Sequence, residues 1–120
     1  DGVQVWADVK KKHSSHAIPA DVSIGTTAKA VEFLWGDAVI VTGTTTGDAP
    51  KPGDVREVKR ATRLPVYLGS GVTAANLGKY FSDADGFIVG SEFKAGGHWS
   101  GAVDPKRVKR FMAAHAAASR

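Results

Sequence analysis

The chain has 120 residues, 16 Lys and Arg against 12 Asp and Glu, a formal net charge of +4, and 42% hydrophobic and 23% charged residues. That balance is ordinary for one soluble globular domain with a modest core. No cysteine is present, which excludes disulfides, and no run of about 18 apolar residues exists, which excludes a helical membrane span.

The basic residues are spread through Lys10 to Lys12, Arg56 to Arg63 and Lys106 to Arg110. Most fall on expected helix faces that water would solvate, and aromatics are not interleaved with them, so no nucleic-acid partner is expected. The chain opens on Asp1 without a signal-peptide pattern and reads as a fragment or trimmed product. A cytoplasmic location is the expectation.

In chain order, 3–9 reads as a strand. Val3, Val5, Ala7 and Val9 share one face, and Gln4, Trp6, Asp8 and Lys10 share the other. A loop, 11–22, holds His13 and His16. Ser23 is a candidate N-cap for a helix with the stripe Ile24, Ala28, Val31 and Trp35, which Gly36 ends. The second strand spans 37–41 and runs into Thr42-Gly43-Thr44-Thr45-Thr46-Gly47. Pro52 suits the first turn of a helix with Val55, Val58 and Thr62 inward. The third strand starts at Pro65 and ends abruptly in Gly69-Ser70-Gly71-Val72-Thr73. A helix is expected over about 74–81, with Leu77, Tyr80 and Phe81 in the core. Asp85-Gly86 opens the fourth strand, which closes on Gly90-Ser91. Asp104-Pro105 begins the last helix, with Val108, Phe111 and Met112 inward and an alanine-rich tail expected to fray from Ala113.

Four strand–helix units argue for an α/β fold, a parallel sheet with right-handed crossovers. Four such units are half of an eight-fold (β/α) TIM barrel and would leave two raw sheet edges. The other half lies outside this chain, a second copy supplies it, or the sheet stays open. The first is the expectation, with 1–120 as a single C-terminal half-barrel.

The motifs have an order that resembles a known family. They are Asp8-Val9 with Lys12-His13, Ala38 to Gly43 with Thr46-Gly47, Gly69 to Thr73 with Asn76, Asp85 to Ser91, and Trp99 with Val103-Asp104 and Arg107-Val108. Together they resemble the BtpA family over essentially the whole chain. The resemblance implies strands five to eight of a barrel similar to the ribulose-phosphate-binding barrels. It implies either a nucleosidase- or sugar-phosphate-processing enzyme or a factor in photosystem I biogenesis, the latter peripheral to a photosynthetic membrane.

Each candidate site has a structural alternative. Gly69, Ser70, Gly71, Gly90 and Ser91 are the candidate phosphate site, since glycine turns let main-chain N–H groups converge on an anion; tight strand–helix turns need glycine in any case. In such barrels a phosphate sits between the last two loops. Asp8 is the candidate catalytic carboxylate, with Lys10, Lys12 or His13 to stabilise charge. The Asp8-x-Lys10 pair is also similar to the motif of the orotidine-phosphate decarboxylase group, without that group's further aspartate. Thr42, Gly43, Thr46 and Gly47 are candidates for a sugar pocket, or a polar loop. Two histidines on a loop without a nearby carboxylate do not make a metal site, so no metal and no cofactor are expected. Trp99 is expected to pack against the last helix. The expected partner is a small phosphorylated ligand.

Overall fold

A computed structural model describes residues 2–10, 20–44 and 47–120. Lys12, His13, His16 and Thr46 lie outside the described residues. Four short parallel strands form one sheet in the order β1-β2-β3-β4: β1 (Trp6–Val9), β2 (Ala38–Thr42), β3 (Val66–Gly69) and β4 (Gly86–Ile88). Among the described residues three α-helices accompany them: α1 (Ile24–Phe33), α2 (Pro52–Ala61) and α3 (Pro105–Ala118).

Register makes the two faces unlike. Val9 pairs with Val41, and Val41 with Leu68; Val39 pairs with Val66. All five are buried and face the helices, where Ala28, Val55, Val58, Leu77, Tyr80 and Phe111 complete the core. The other face carries Asp8, Ile40, Tyr67 and Gly86 in one row, and Thr42, Gly69 and Ile88 in the next. No helix of the described residues covers it. The Trp6 ring stacks on Tyr67 there, with centroids 4.2 Å apart. Gly86 makes room for that ring, because a Cβ at Gly86 would lie 2.6 Å from it. The alternation expected along β1 is therefore observed for Trp6, Asp8 and Val9. Val3 and Val5 lie before the strand and are exposed.

One device starts two strands. Asp37 donates its amide to the Val5 carbonyl at 2.8 Å, and its carboxylate accepts from the Val5 amide at 2.7 Å. Asp85 does the same to Val66, at 2.7 Å in both directions. Each aspartate thus brackets one residue of the preceding extended segment and sets the register. Burial alone would raise the Asp85 carboxyl, but the Lys59 hydrogen bond, the Val66 amide and the Lys59 charge outweigh it and leave it below its usual value.

The caps follow expectation. Ser23 accepts from the Thr26 amide, Pro52 opens α2, and Asp104 accepts from the Lys106 amide ahead of Pro105. Four expectations fail. The helix expected over about 74–81 is a single 3₁₀ turn, Leu77–Lys79, flanked by the turns Thr73–Asn76 and Tyr80–Asp83, although Leu77 and Tyr80 still reach the core. Trp35 is not on the α1 stripe: α1 ends at Phe33, and Trp35 is 90% exposed with φ 64°. Met112 is half exposed, because Phe111 takes the inward position. The alanine-rich tail does not fray but continues α3 to Ala118, with Ala114 and Ala118 against the core.

Candidate functional site

The carboxyl ends of β3 and β4 open on a cavity of about 480 Å³. Gly47, Ser70, Gly71, Gly90 and Ser91 line it, with Thr73, Glu92, His98 and Trp99. The two glycine motifs singled out in the sequence therefore meet in one place, joined by one residue of the expected sugar-pocket loop. Gly69 lies one residue short of the cavity, within the sheet.

The chain reaches this geometry through local constraints. Ser70 and Gly71 are consecutive left-handed residues, with φ 72° and 65°. A non-glycine residue in this region is uncommon, and such conformations cluster at functional sites. The Ser70 hydroxyl accepts from the Gly47 amide at 3.1 Å, which ties the loop after β2 to the loop after β3. Asn76 braces the same turn: its side-chain oxygen accepts from the Thr73 amide at 2.8 Å, and its amide group donates to the Gly71 carbonyl at 2.9 Å. Asn76 therefore does the work expected of an α-helix start.

The glycines divide by role. A Cβ at Gly71 would lie 2.2 Å from the Ala49 amide, and one at Gly43 would lie 2.2 Å from the Asp48 carbonyl oxygen. Both are required for packing around residues 48–49. At Gly90 no atom lies within 4 Å of a Cβ position, and φ is −119°. Packing does not demand glycine there.

Glu92, which the sequence reading missed, sits beneath this cavity. Its carboxylate accepts from Arg107 at 2.9 Å and from Arg110 at 3.2 Å, and its carbonyl accepts from Arg107 Nε at 2.6 Å. The Glu92 side chain is nearly buried. Two guanidinium groups thus hold one carboxylate, and they fix the 3₁₀ turn at Ser91–Phe93 to α3. The only sequence signal was Arg107, at the start of a helix next in line after Ser91-Glu92. His98 and Trp99 form the outer rim; Trp99 is 70% exposed, so it does not pack against α3 as expected.

The other candidates lie toward β1. Asp8 is on the uncovered sheet face, where the Thr42 hydroxyl approaches its carboxylate at 3.4 Å. Lys10 has φ 51° and lines a second cavity of about 290 Å³ with Thr42, Gly43, Ser23, Asp54 and Glu57. Glu57 accepts from the Gly25 amide at 2.9 Å, so one carboxylate there already serves the start of α1. Asp8 lines neither cavity. Among the described residues there is no cluster of three or more His, Asp or Glu suited to a metal, and no helix long and apolar enough to cross a membrane.

Fold and site together define an α/β protein with four parallel strands and a cavity at their carboxyl edge. The chain belongs to the BtpA family, whose model matches residues 1–117. It is 42% identical over 112 residues to an uncharacterized mitochondrial protein of Caenorhabditis elegans, covering 93% of this chain and 40% of that protein. It is 38% identical over 113 residues to an uncharacterized protein of Methanocaldococcus jannaschii, covering 92% and 41%. It is 33% identical over 115 residues to the photosystem I biogenesis protein BtpA of Synechocystis, covering 95% and 40%. The chain thus spans about two fifths of the length of these relatives.

Proposed function

We propose that the chain is four consecutive units, strands five to eight, of a (β/α)₈ barrel, and that it binds a small phosphorylated sugar or nucleoside-like molecule. The helix-free sheet face with Trp6, Asp8, Tyr67 and Ile88 supports the barrel reading, since a closed barrel would turn that face inward. The observation that carries the ligand reading is the cavity in which Ser70 and Gly71 meet Gly90 and Ser91. Gly90 adds to it, as a glycine whose surroundings are open. In this reading main-chain N–H groups of the two loops hold the phosphate. Gly47 lines the sugar side of that cavity, and Thr42 and Gly43 line the second cavity toward β1. Asp8 accepts or donates a proton at the mouth, with Lys10, Lys12 and His13 stabilising charge. The protein works in the cytoplasm.

Calorimetric titration with ribose 5-phosphate tests the binding reading. Saturable binding weakened by Gly90→Ala and unchanged by Asp8→Asn supports it. Absence of heat in a folded sample removes it. Once a substrate is in hand, undiminished turnover by Asp8→Asn in the longer protein excludes Asp8 from the chemistry.

The similarity to a photosystem I biogenesis protein favours a second reading, a non-catalytic assembly or stability factor at a photosynthetic membrane. It predicts co-purification with such a complex, and function that survives replacement of Asp8.

A further inference from the structure

Among the described residues that line the cavity at the carboxyl ends of β3 and β4, the titratable side chains are Glu92 and His98. Glu92 is taken up by Arg107 and Arg110. His98 bonds to Ser100 of its own loop through one ring nitrogen, which leaves the other for a ligand. Asp8 lines neither cavity.

The loop that carries His98 is laced by its own main chain. The Ala95 amide donates to the Ala102 carbonyl and the Asp104 amide to the Phe93 carbonyl, both at 2.8 Å, around an antiparallel bridge between Lys94 and Val103. The Gly101 amide closes the tip on the His98 carbonyl at 3.0 Å. Gly96 and Gly97 turn the chain through consecutive left-handed conformations, φ 66° and 72°, immediately before His98. A Cβ at Gly97 would lie 3.3 Å from the Arg107 guanidinium, so the loop rests on the arginine that holds Glu92.

Ser100 fixes the imidazole. Its hydroxyl lies 2.8 Å from Nδ1, a contact that either tautomer allows. Its main-chain amide also meets Nδ1, at 3.4 Å, and an amide N–H can only donate. Nδ1 therefore accepts, and the neutral ring carries its proton on Nε2. Ser100 does not line the cavity, so the ring is held from outside and presents Nε2–H to what binds within. The Trp99 ring lies beside it, with centroids 5.7 Å apart and planes inclined by 35°.

A cavity of about 480 Å³ is in the range of pockets that take a whole small molecule. With a phosphate between the loops at 70–71 and 90–91, the group it esterifies meets the rim formed by His98 and Trp99. An N–H donor beside an aromatic face suits a sugar: a hydroxyl oxygen accepts from the donor, and the apolar face of the sugar ring packs on the indole.

We propose that His98, by donating Nε2–H to a sugar hydroxyl, makes this site select a sugar phosphate over inorganic phosphate. The proposal rests on the phosphate reading of the two glycine loops and adds the specificity of that site.

Two measurements test it. A long-range proton–nitrogen correlation spectrum of the free chain reads the tautomer of the neutral ring, the His98 signals being identified by their loss in His98→Gln. The Nε2–H form is expected, and a ring protonated on Nδ1 overturns the proposal. Calorimetric titration then compares inorganic phosphate with ribose 5-phosphate. His98→Asn is expected to weaken ribose 5-phosphate by roughly three- to tenfold, the worth of one neutral hydrogen bond, and to leave inorganic phosphate unchanged. His98→Gln, whose side-chain N–H reaches the Nε2 position, is expected to restore most of that loss, and a Gln variant no better than the Asn variant overturns the donor role. Equal weakening of both ligands, or of neither, overturns the proposal and leaves the phosphate reading standing. If neither ligand binds the folded, unsubstituted chain, the phosphate reading falls and the proposal falls with it.

Discussion

Two glycine-to-alanine substitutions, at Gly71 and Gly90 on the same cavity, should behave oppositely. At Gly71 an added Cβ would meet main-chain atoms of Asp48 and Ala49 at 2.3 and 2.2 Å, on a backbone with φ 65°. Neither neighbour is a side chain that can swing away. Overpacking and left-handed strain together cost about 3 kcal/mol, a large share of the stability of a small domain. At Gly90 the added methyl meets no atom within 4 Å, so stability stays within about 0.5 kcal/mol of wild type. The same methyl occupies the space assigned to the phosphate. Losing one or two charge-assisted hydrogen bonds costs about 1.5–3 kcal/mol, or roughly 10- to 100-fold in Kd. Urea denaturation measures the first quantity, and calorimetric titration with ribose 5-phosphate the second. A folded Gly90→Ala protein with wild-type affinity would refute the reasoning. So would equal destabilisation by the two substitutions.

Leu68→Ala, at a fully buried position in the central strand β3, should cost about 2–5 kcal/mol by denaturant unfolding. Glu32 accepts from the Thr62 hydroxyl at 2.6 Å, the Arg63 amide at 3.0 Å and Arg63 Nε at 2.9 Å, and these hold its carboxyl down to about 2 from an ordinary 4.5. Its stabilising contribution is therefore complete above about pH 4.5 and is lost as pH falls from there through about 2. Glu32→Gln should lower the unfolding midpoint at neutral pH, and the gap to wild type should close between those values; a constant gap would show that the carboxylate's charge is not involved. Arg107→Ala leaves the nearly buried Glu92 carboxylate with Arg110 and the Ala74 amide alone, and should cost roughly 2 kcal/mol. It should also speed amide exchange at 91–93, whereas unchanged exchange would mean that Arg107 does not order the cavity floor.

What the sequence disclosed follows the range over which each signal acts. Strands were legible because a β/α unit buries one face continuously, and the apolar runs Ala38 to Val41 and Val66 to Leu68 fall in β2 and β3. Caps were legible because Ser23, Pro52 and Asp104 act within one helical turn. The helix expected over about 74–81 failed because Leu77, Tyr80 and Phe81 reach the core from a 3₁₀ turn as well as from an α-helix, and periodicity over eight residues does not separate the two. Trp35 failed because an apolar residue in register with a stripe reads as buried, while the end of α1 is decided by a left-handed turn and the room Gly36 leaves for Val31. The convergence of Gly71 and Gly90 was expected from the two strand ends. The Glu92–Arg107–Arg110 cluster was not, since it joins a 3₁₀ turn to a helix 15 residues on and depends on how α3 lies across β4.

The most direct test of the ligand reading is an amide-resolved NMR titration of the chain, first with inorganic phosphate and then with ribose 5-phosphate. Saturable shifts confined to Gly69–Thr73 and Gly90–Ser91 with phosphate, joined by Gly47 with the sugar phosphate, are the expected result. A folded sample whose amides in both loops remain unmoved at saturating concentration would contradict it, and would leave those glycines with the turns alone to explain them.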